Sequence, residues 1–337
     1  MRFLAGLLVV LAVAWGGWWW LGATAMERGA QAWFAQRAAE GWDARHGGLS
    51  VQGFPNRLDL TVDAPRIADP RRDLGWQADF VQLLALSYKP WHVILVLPPR
   101  QEVTVAGLSA GVASERMQAS VVLRPVPDLP LDRAALAGDG LVLAAPDGRL
   151  LLRIDSLRAG SRAAPSRENG NDIAIEATAL TLGPALAGAL PPGALPDRIE
   201  RLRLEAELDL SAPLDRHMGR TRPFARRVDL RDLRLDWGGL HVMGRGELRP
   251  DSAGFAEGRI TLRVENWRIG LQTLVAAGLV RAELAPTWER ALELMAAGSG
   301  NPEVLDLALL FQGGRASLGP LPLGPAPRLR PALARTD

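Results

Sequence analysis

Gly107-Leu-Ser109-Ala-Gly111 has the G-x-S-x-G spacing that presents a nucleophilic serine on a sharp turn. That chemistry needs a strand before the serine and a helix after it. Here Val103 and Val105 precede the motif and two-residue alternation resumes at Met117, so Ser109 reads as a small residue at a turn or bulge. The four histidines, His46, His92, His217 and His241, have no metal-ligand spacing among them and no carboxylate cluster beside them. Gly244-Arg-Gly246 lies inside a strand repeat without a following helix, which excludes a dinucleotide-binding turn. No catalytic residue, metal or cofactor is expected, and the protein reads as a non-enzyme.

A second group could bind rather than react. No acid lies between Asp215 and Asp229, and that window holds Arg216, His217, Arg220, Arg222, Arg226 and Arg227. Planar guanidinium forks suit phosphate or carboxylate, so these five arginines are candidates for a lipid headgroup or a protein partner. The plainer reading is a solvated connection between strands. Nucleic acid is not the expected partner. Lys+Arg is 39 against Asp+Glu 37, a net of +2, and the charges are interspersed rather than gathered into a basic patch. Lys89 is the only lysine. There is no cysteine, which removes disulfides, thiolate metal sites and cysteine nucleophiles.

The third group is apolar and periodic. Leu202, Leu204, Ala206, Leu208 and Leu210 fall on one side of a strand, and Arg201, Arg203, Glu205, Glu207 and Asp209 on the other. Period two with one greasy and one wet face is the pattern of an antiparallel sheet. The same division recurs through Leu233, Leu235, Val242, Leu262 and Val264. These positions, with Leu202, Leu204, Leu208 and Leu210, are the candidates for contact with lipid.

The elements that position these groups are mostly strands. Alternating runs follow one another from Leu49 to Leu182, interrupted at Gly53-Phe54-Pro55, Pro127–Pro130 and the polar turn at Asn169-Gly170. Pro191–Pro196 is a break expected to divide the sheet into a first half, 47–190, and a second, 197–325. Two short helices are expected in the second half, over Trp267–Val280 and Pro286–Ala297, with Pro286 suited to a helix start. A last hairpin turns at Gln312-Gly313-Gly314, and a Pro-rich tail over 326–337 is expected to be disordered. So few helices leave much apolar sheet surface to cover. Either the sheet folds on itself as a sandwich or it curls into a groove that holds something apolar.

From Phe3 to Met26 there is no charged residue. As a helix this stretch is about 36 Å long at roughly 1.5 Å per residue, enough to cross a bilayer's hydrocarbon core. Residues 1–26 therefore read as a transmembrane anchor, with Trp15, Trp18, Trp19 and Trp20 bunched at its outer end. Arg2 before the span and Glu27 after it put the N-terminus in the cytoplasm and the bulk outside. Residues 27–46 continue as an amphipathic helix through Trp33, Phe34, Arg37, Ala38 and Trp42. Ala23-Thr24-Ala25 also fits a signal-peptide cleavage site, and in both readings the bulk of the chain is exported.

Leu233-Arg-Leu-Asp-Trp-Gly-Gly-Leu-His-Val-Met-Gly-Arg-Gly-Glu-Leu248 resembles the repeating unit of AsmA-like and TamB-like envelope proteins, in which alternating strands are joined by Gly-rich turns. Gly254–Asn266 continues the pattern, and Gly313–Gly324 resembles the C-terminal hairpin of those proteins. The anchor followed by Gly53-Phe54-Pro55 is also similar to an uncharacterised family of Gram-negative envelope proteins with one N-terminal anchor. The resemblance covers 1–62 and 199–325. It implies a single-pass inner-membrane protein with a periplasmic β-groove and a role in moving or organising membrane lipid. The chain is much shorter than a bridge between two membranes. The expected fold is thus mainly β: a transmembrane helix, then a curved antiparallel sheet, groove or sandwich, with a few short helices. The expected function is lipid handling in the cell envelope. An envelope-assembly scaffold with a self-covered core and protein partners is the alternative, and an exported hydrolase the third.

Overall fold

The computed structural model describes residues 2–191, 195–278, 280–298, 300–318 and 321–330. The chain is mainly β and forms two compact units. One comprises Met1–Pro125 with Ala134–Arg149, the other Val126–Arg133 with Leu150–Asp337.

The first unit opens with α1 (Arg2–Ala39), a single helix long and apolar enough to cross a membrane. It contains the expected anchor and most of the expected amphipathic helix without a break. The helix ends earlier than the 27–46 reading because Gly41 takes a left-handed φ of 86° while Trp42 N–H bonds back to the Arg37 carbonyl. The chain then enters β1 (Asp43–Arg45). Phe34 of α1 is buried with Ala44, Leu60, Val62 and Val81, which ties the end of the helix to the sheet.

The strands that follow are β2 (Gly48–Gln52), β3 (Arg57–Asp63), β4 (Arg66–Asp69), β5 (Leu74–Ala78), β6 (Phe80–Leu86) and β7 (Lys89–Leu97). Next come β8 (Arg100–Val105), β9 (Leu108–Ala113), β10 (Arg116–Leu123) and β11 (Leu131–Ala144). They pair antiparallel in two runs, β2-β3-β6-β7-β10 and β1-β4-β5-β8-β9-β11.

The second unit is a meander. Its strands are β12 (Leu150–Ala163), β13 (Gly170–Leu182), β14 (Arg198–Leu210), β15 (Ala225–Trp237) and β16 (Leu240–Pro250). They continue with β17 (Ala256–Glu265), β18 (Val304–Gln312), β19 (Arg315–Leu318) and β20 (Leu321–Pro325). Each pairs antiparallel with its successor from β12 to β20. One-turn helices α2 (Pro184–Ala187) and α3 (Met218–Thr221) sit in connections, whereas α4 (Trp267–Ala276) and α5 (Ala285–Ala297) lie between β17 and β18.

Three expectations change. The sandwich alternative does not occur, because the strands of this unit pair side by side in one open sheet. The compact units divide at Arg149/Leu150 rather than at Pro191–Pro196. The proline-rich segment only connects β13 to β14, which pair from Gly170↔Asp209 to Thr181↔Arg198. The first part of the tail is held: Ala326 is buried, Ala256 N–H donates to the Pro327 carbonyl, and Leu329 N–H donates to Gly254. Residues 331–337 of that tail lie outside the described residues. The preceding β20 carries Pro322 and Pro325, which an edge strand tolerates because their missing N–H groups need no partner.

Candidate functional site

The apolar positions singled out by period two do converge. In the second unit Ala177, Leu202, Leu235, Val242, Val264 and Leu305 lie in register across β13–β18. The adjacent row on the same face is Ile175, Leu204, Leu233, Gly244, Leu262 and Leu307. Gly244 interrupts this row for a steric reason: a Cβ there would come within 2.8 Å of Leu262 Cδ2 and 3.2 Å of Leu233 Cδ2. The neighbouring leucines lean over the space that it leaves. Leu208 opens a third row with Val228 and Leu248. Leu210 pairs with Ala225 beyond a register shift and is buried.

One side of this face, over β16–β19, is covered. Trp267 and Leu271 of α4, with Leu292 and Ala296 of α5, pack on Leu305 and Leu307, and Leu262 and Val264 join that cluster. Trp267 also donates its indole N–H to the Pro302 carbonyl at 2.9 Å. Two of the residues expected to face lipid, Leu262 and Val264, thus face helices instead. The reason is chain connectivity: α4 and α5 are the link between β17 and β18 and settle on those strands. At another edge Ala326 and Leu329 cover Leu248, Ala256, Phe311 and Ala316.

The side over β13–β16 is different. Leu202 is 37% exposed and Ile175 39%, and Leu204, Leu208, Leu233, Leu235 and Val242 are half-buried without belonging to either covered cluster. Ile175 completes this patch and was not among the expected site residues. Its signal was present in the alternation Ile173-Ala-Ile175-Glu-Ala177. Three strand spacings, β13 to β16, give a width of about 14 Å at roughly 4.8 Å each. That is close to the depth of one leaflet, half of a hydrocarbon core of about 30 Å.

The opposite face is built from charge. Glu207 is buried between Arg167, whose Nε lies 2.5 Å away, and Arg231. Arg231 also reaches Asp172 at 3.1 Å, as does Arg162. Arg231 is the extra residue where the β14–β15 register shifts between Glu205 and Ala206. Beside it Glu247 is penalised by burial, but hydrogen bonds from Arg249 and Arg227 outweigh that and hold its carboxyl below the ordinary value near 4.5.

The arginine-rich connection between β14 and β15 is not a single site. Arg227 belongs to the charged face, 2.6 Å from Glu247. Arg226 donates to the Ser211 carbonyl. Arg216 and Arg220 flank His217, with Arg220 Nη2 2.6 Å from its Nδ1, and Asp128 lies 3.3 Å from its Nε2. Arg222 is exposed in a left-handed conformation, φ 44°. The exposed Arg216, Arg220, Arg222 and Arg226 remain open to an anion, and Arg227 is occupied.

Ser109 lies in β9, immediately after a turn made by Ala106 and Gly107, both at positive φ. It pairs with Thr104 across the β8–β9 hairpin, the two hydroxyls 2.9 Å apart. The surroundings are strand–turn–strand, so the strand–turn–helix geometry of a nucleophile elbow is not formed. Ser109 does line a cleft of about 650 Å³ with Arg66, Arg100 and Glu102, and no histidine lines that cleft. Among the described residues no cluster of His, Asp or Glu is placed to hold a metal ion.

Fold and face together define a β-meander protein with a long apolar N-terminal helix and a partly uncovered apolar sheet face. The chain belongs to DUF2125, a family described as an uncharacterised protein conserved in bacteria, whose pattern matches residues 19–327. No functionally curated protein matches it.

Proposed function

We propose that this protein is a membrane-anchored, non-enzymatic lipid-handling factor of the bacterial envelope. In this reading α1 spans the inner membrane with Arg2 on the cytoplasmic side, and both compact units stand in the periplasm. Acyl chains lie on the open β13–β16 side of the second unit's apolar face, across Ile175, Leu202, Leu204, Leu208, Leu233, Leu235 and Val242. The likeness of residues 233–266 to AsmA-like repeats supports the same reading.

One observation carries the proposal. The sheet covers one side of its apolar face, with helices over β17–β18 and the C-terminal segment over β16–β19, and leaves Ile175 and Leu202 on the β13–β14 side exposed. Apolar surface left open beside a covered stretch of the same face marks an interaction site. The width of the gap suits an acyl chain.

The test is mass spectrometry of lipid retained through gentle purification, comparing the native chain with Leu204→Glu. The substitution puts a carboxylate where chains would lie, while water can still reach it. The expected result is a folded protein depleted of lipid. Arg245→Gln, an exposed position on the charged side of β16, is the control and should keep its lipid. A folded Leu204→Glu protein with the native lipid content would sink the proposal, as would a co-purifying protein in place of lipid.

A further inference from the structure

We propose that the β2–β3 and β6–β7 loops of the first unit form a second membrane-inserted element, lying among acyl chains beside α1 rather than in water. The inference rests on α1 crossing a bilayer and not on what the second unit binds.

The first observation is where the loops dock on α1. Trp15 donates its indole N–H to the Pro55 carbonyl at 3.0 Å, Trp19 to Arg57 at 2.6 Å, and Trp18 to Ser87 at 3.3 Å. Trp19 meets the Phe54 ring edge-on at 5.5 Å. Gly22 allows Leu58 to approach, since a Cβ there would lie 3.3 Å from Leu58 Cδ1. The tips of both loops are thereby fixed at the level of Trp15–Trp19.

The second observation is how deep that level is. From Arg2 to Trp15 the helix rises about 20 Å at roughly 1.5 Å per residue. A hydrocarbon core is about 30 Å thick. With the Arg2 charge at one boundary, Trp15 and the Pro55 carbonyl fall about 10 Å short of the other, inside the acyl region. The helix surface up to this level is apolar and bare, from Phe3 at 85% to Val13 at 70% exposed.

The third observation is that the loops are made for such a place. Phe54 is 61% exposed, Tyr88 59% and Leu86 37%. Tyr88 and Lys89 are the only tyrosine and the only lysine in the chain, and they stand side by side. Exposed aromatic rings suit acyl chains, and the long stem of Lys89 lets its ammonium reach from such a depth toward the boundary. Backbone in hydrocarbon must have its polar groups satisfied internally. Here the carbonyls of Pro55, Arg57 and Ser87 accept from the three indoles. Those of Gly53 and Asn56 accept from the backbone N–H groups of Arg57 and Ser87. A loop standing in water would not need three tryptophans to close its carbonyls.

The chain has no cysteine, so single labelling sites can be introduced one at a time. Full-length Phe54→Cys, Tyr88→Cys, Val9→Cys and Leu108→Cys are labelled with an environment-sensitive fluorophore. They are then reconstituted in vesicles of phosphatidylethanolamine and phosphatidylglycerol. Leu108 sits beside the β8–β9 turn and is the aqueous control. Labels at 54, 88 and 9 should emit to the blue, lose most of their emission to lipids with an acyl-chain nitroxide and resist iodide. The label at 108 should respond to iodide alone. Iodide quenching at 54 and 88 with acyl quenching at 9 would overturn the proposal and leave the anchor intact. Loss of acyl quenching at 9 as well would overturn it together with the anchor. Neither result touches the lipid content of the second unit, which is read separately by mass spectrometry.

Discussion

Leu305 and Leu202 belong to one cross-strand row, identical in chemistry and pointing to the same face, yet one is 1% exposed and the other 37%. Over β17–β18 the face is closed by α4 and α5, and Trp267, Leu271, Leu292 and Ala296 make it a conventional core. Over β13–β16 Ile175 and Leu202 stay exposed, and neither covered cluster includes them. The difference teaches that alternation marks an apolar face without saying what meets it. On one side the face serves stability, and over β13–β16 it stays open, where we propose that lipid lies.

The same substitution should separate the two regions most sharply. Leu305→Glu buries a carboxylate with no partner, which costs several kcal/mol. We expect this variant to fail to accumulate or to melt far below the native chain. Its defect should be milder at acid pH, where the buried group takes up a proton. Chemical denaturation at two pH values measures both. Leu305→Glu folding like the native chain would break the comparison outright.

Trp267→Ala comes next. It removes a buried ring and the indole hydrogen bond to Pro302, and large-to-small changes of this kind cost about 3–5 kcal/mol. The loss should appear in the denaturation midpoint. It should not depend on added lipid, because in the proposed reading lipid lies on the open side and not on this cluster.

Leu204→Glu should cost less than about 1 kcal/mol, the range of changes at sites that water can reach, while lipid retention collapses. Stability and lipid content therefore move independently in the open region and not in the covered one. A large loss of stability here would show that the β13–β16 side of the face is core after all.

The smallest effect belongs to the charged side. Glu247 has its folded-state pKa lowered by Arg249 and Arg227. A depressed carboxylate pKa adds stability above the ordinary value, near 4.5, and that increment is lost as pH falls through the folded value. Glu247→Gln should flatten the acid limb of the stability profile below about pH 5 and leave lipid binding unchanged. Thermal melts across acid pH check it.

Much of this was legible in the residues. Leucines two apart through Leu202–Leu210 and arginines or acids between them determine which side of β14 is greasy, because side chains alternate across a strand. The uncharged stretch Phe3–Met26 determines a helix of spanning length. The G-x-S-x-G match at Ser109 could be set aside because no helical pattern follows it. Other features could not be read locally. Leu262 and Val264 have the same pattern as Leu202 and Leu204, and only the packing of α4 and α5 assigns them to a core. Likewise Trp15, Trp18 and Trp19 look like an interfacial belt, but their hydrogen bonds to Pro55, Ser87 and Arg57 join residues far apart in the chain. Arg227 and Arg220 share one acid-free window and part company in space, one neutralised by Glu247 and the other beside His217. Periodicity is a local property and the sequence determined it alone. Coverage and pairing are relations between distant segments, so only the tertiary structure decided which apolar residues became core and which charges were left free.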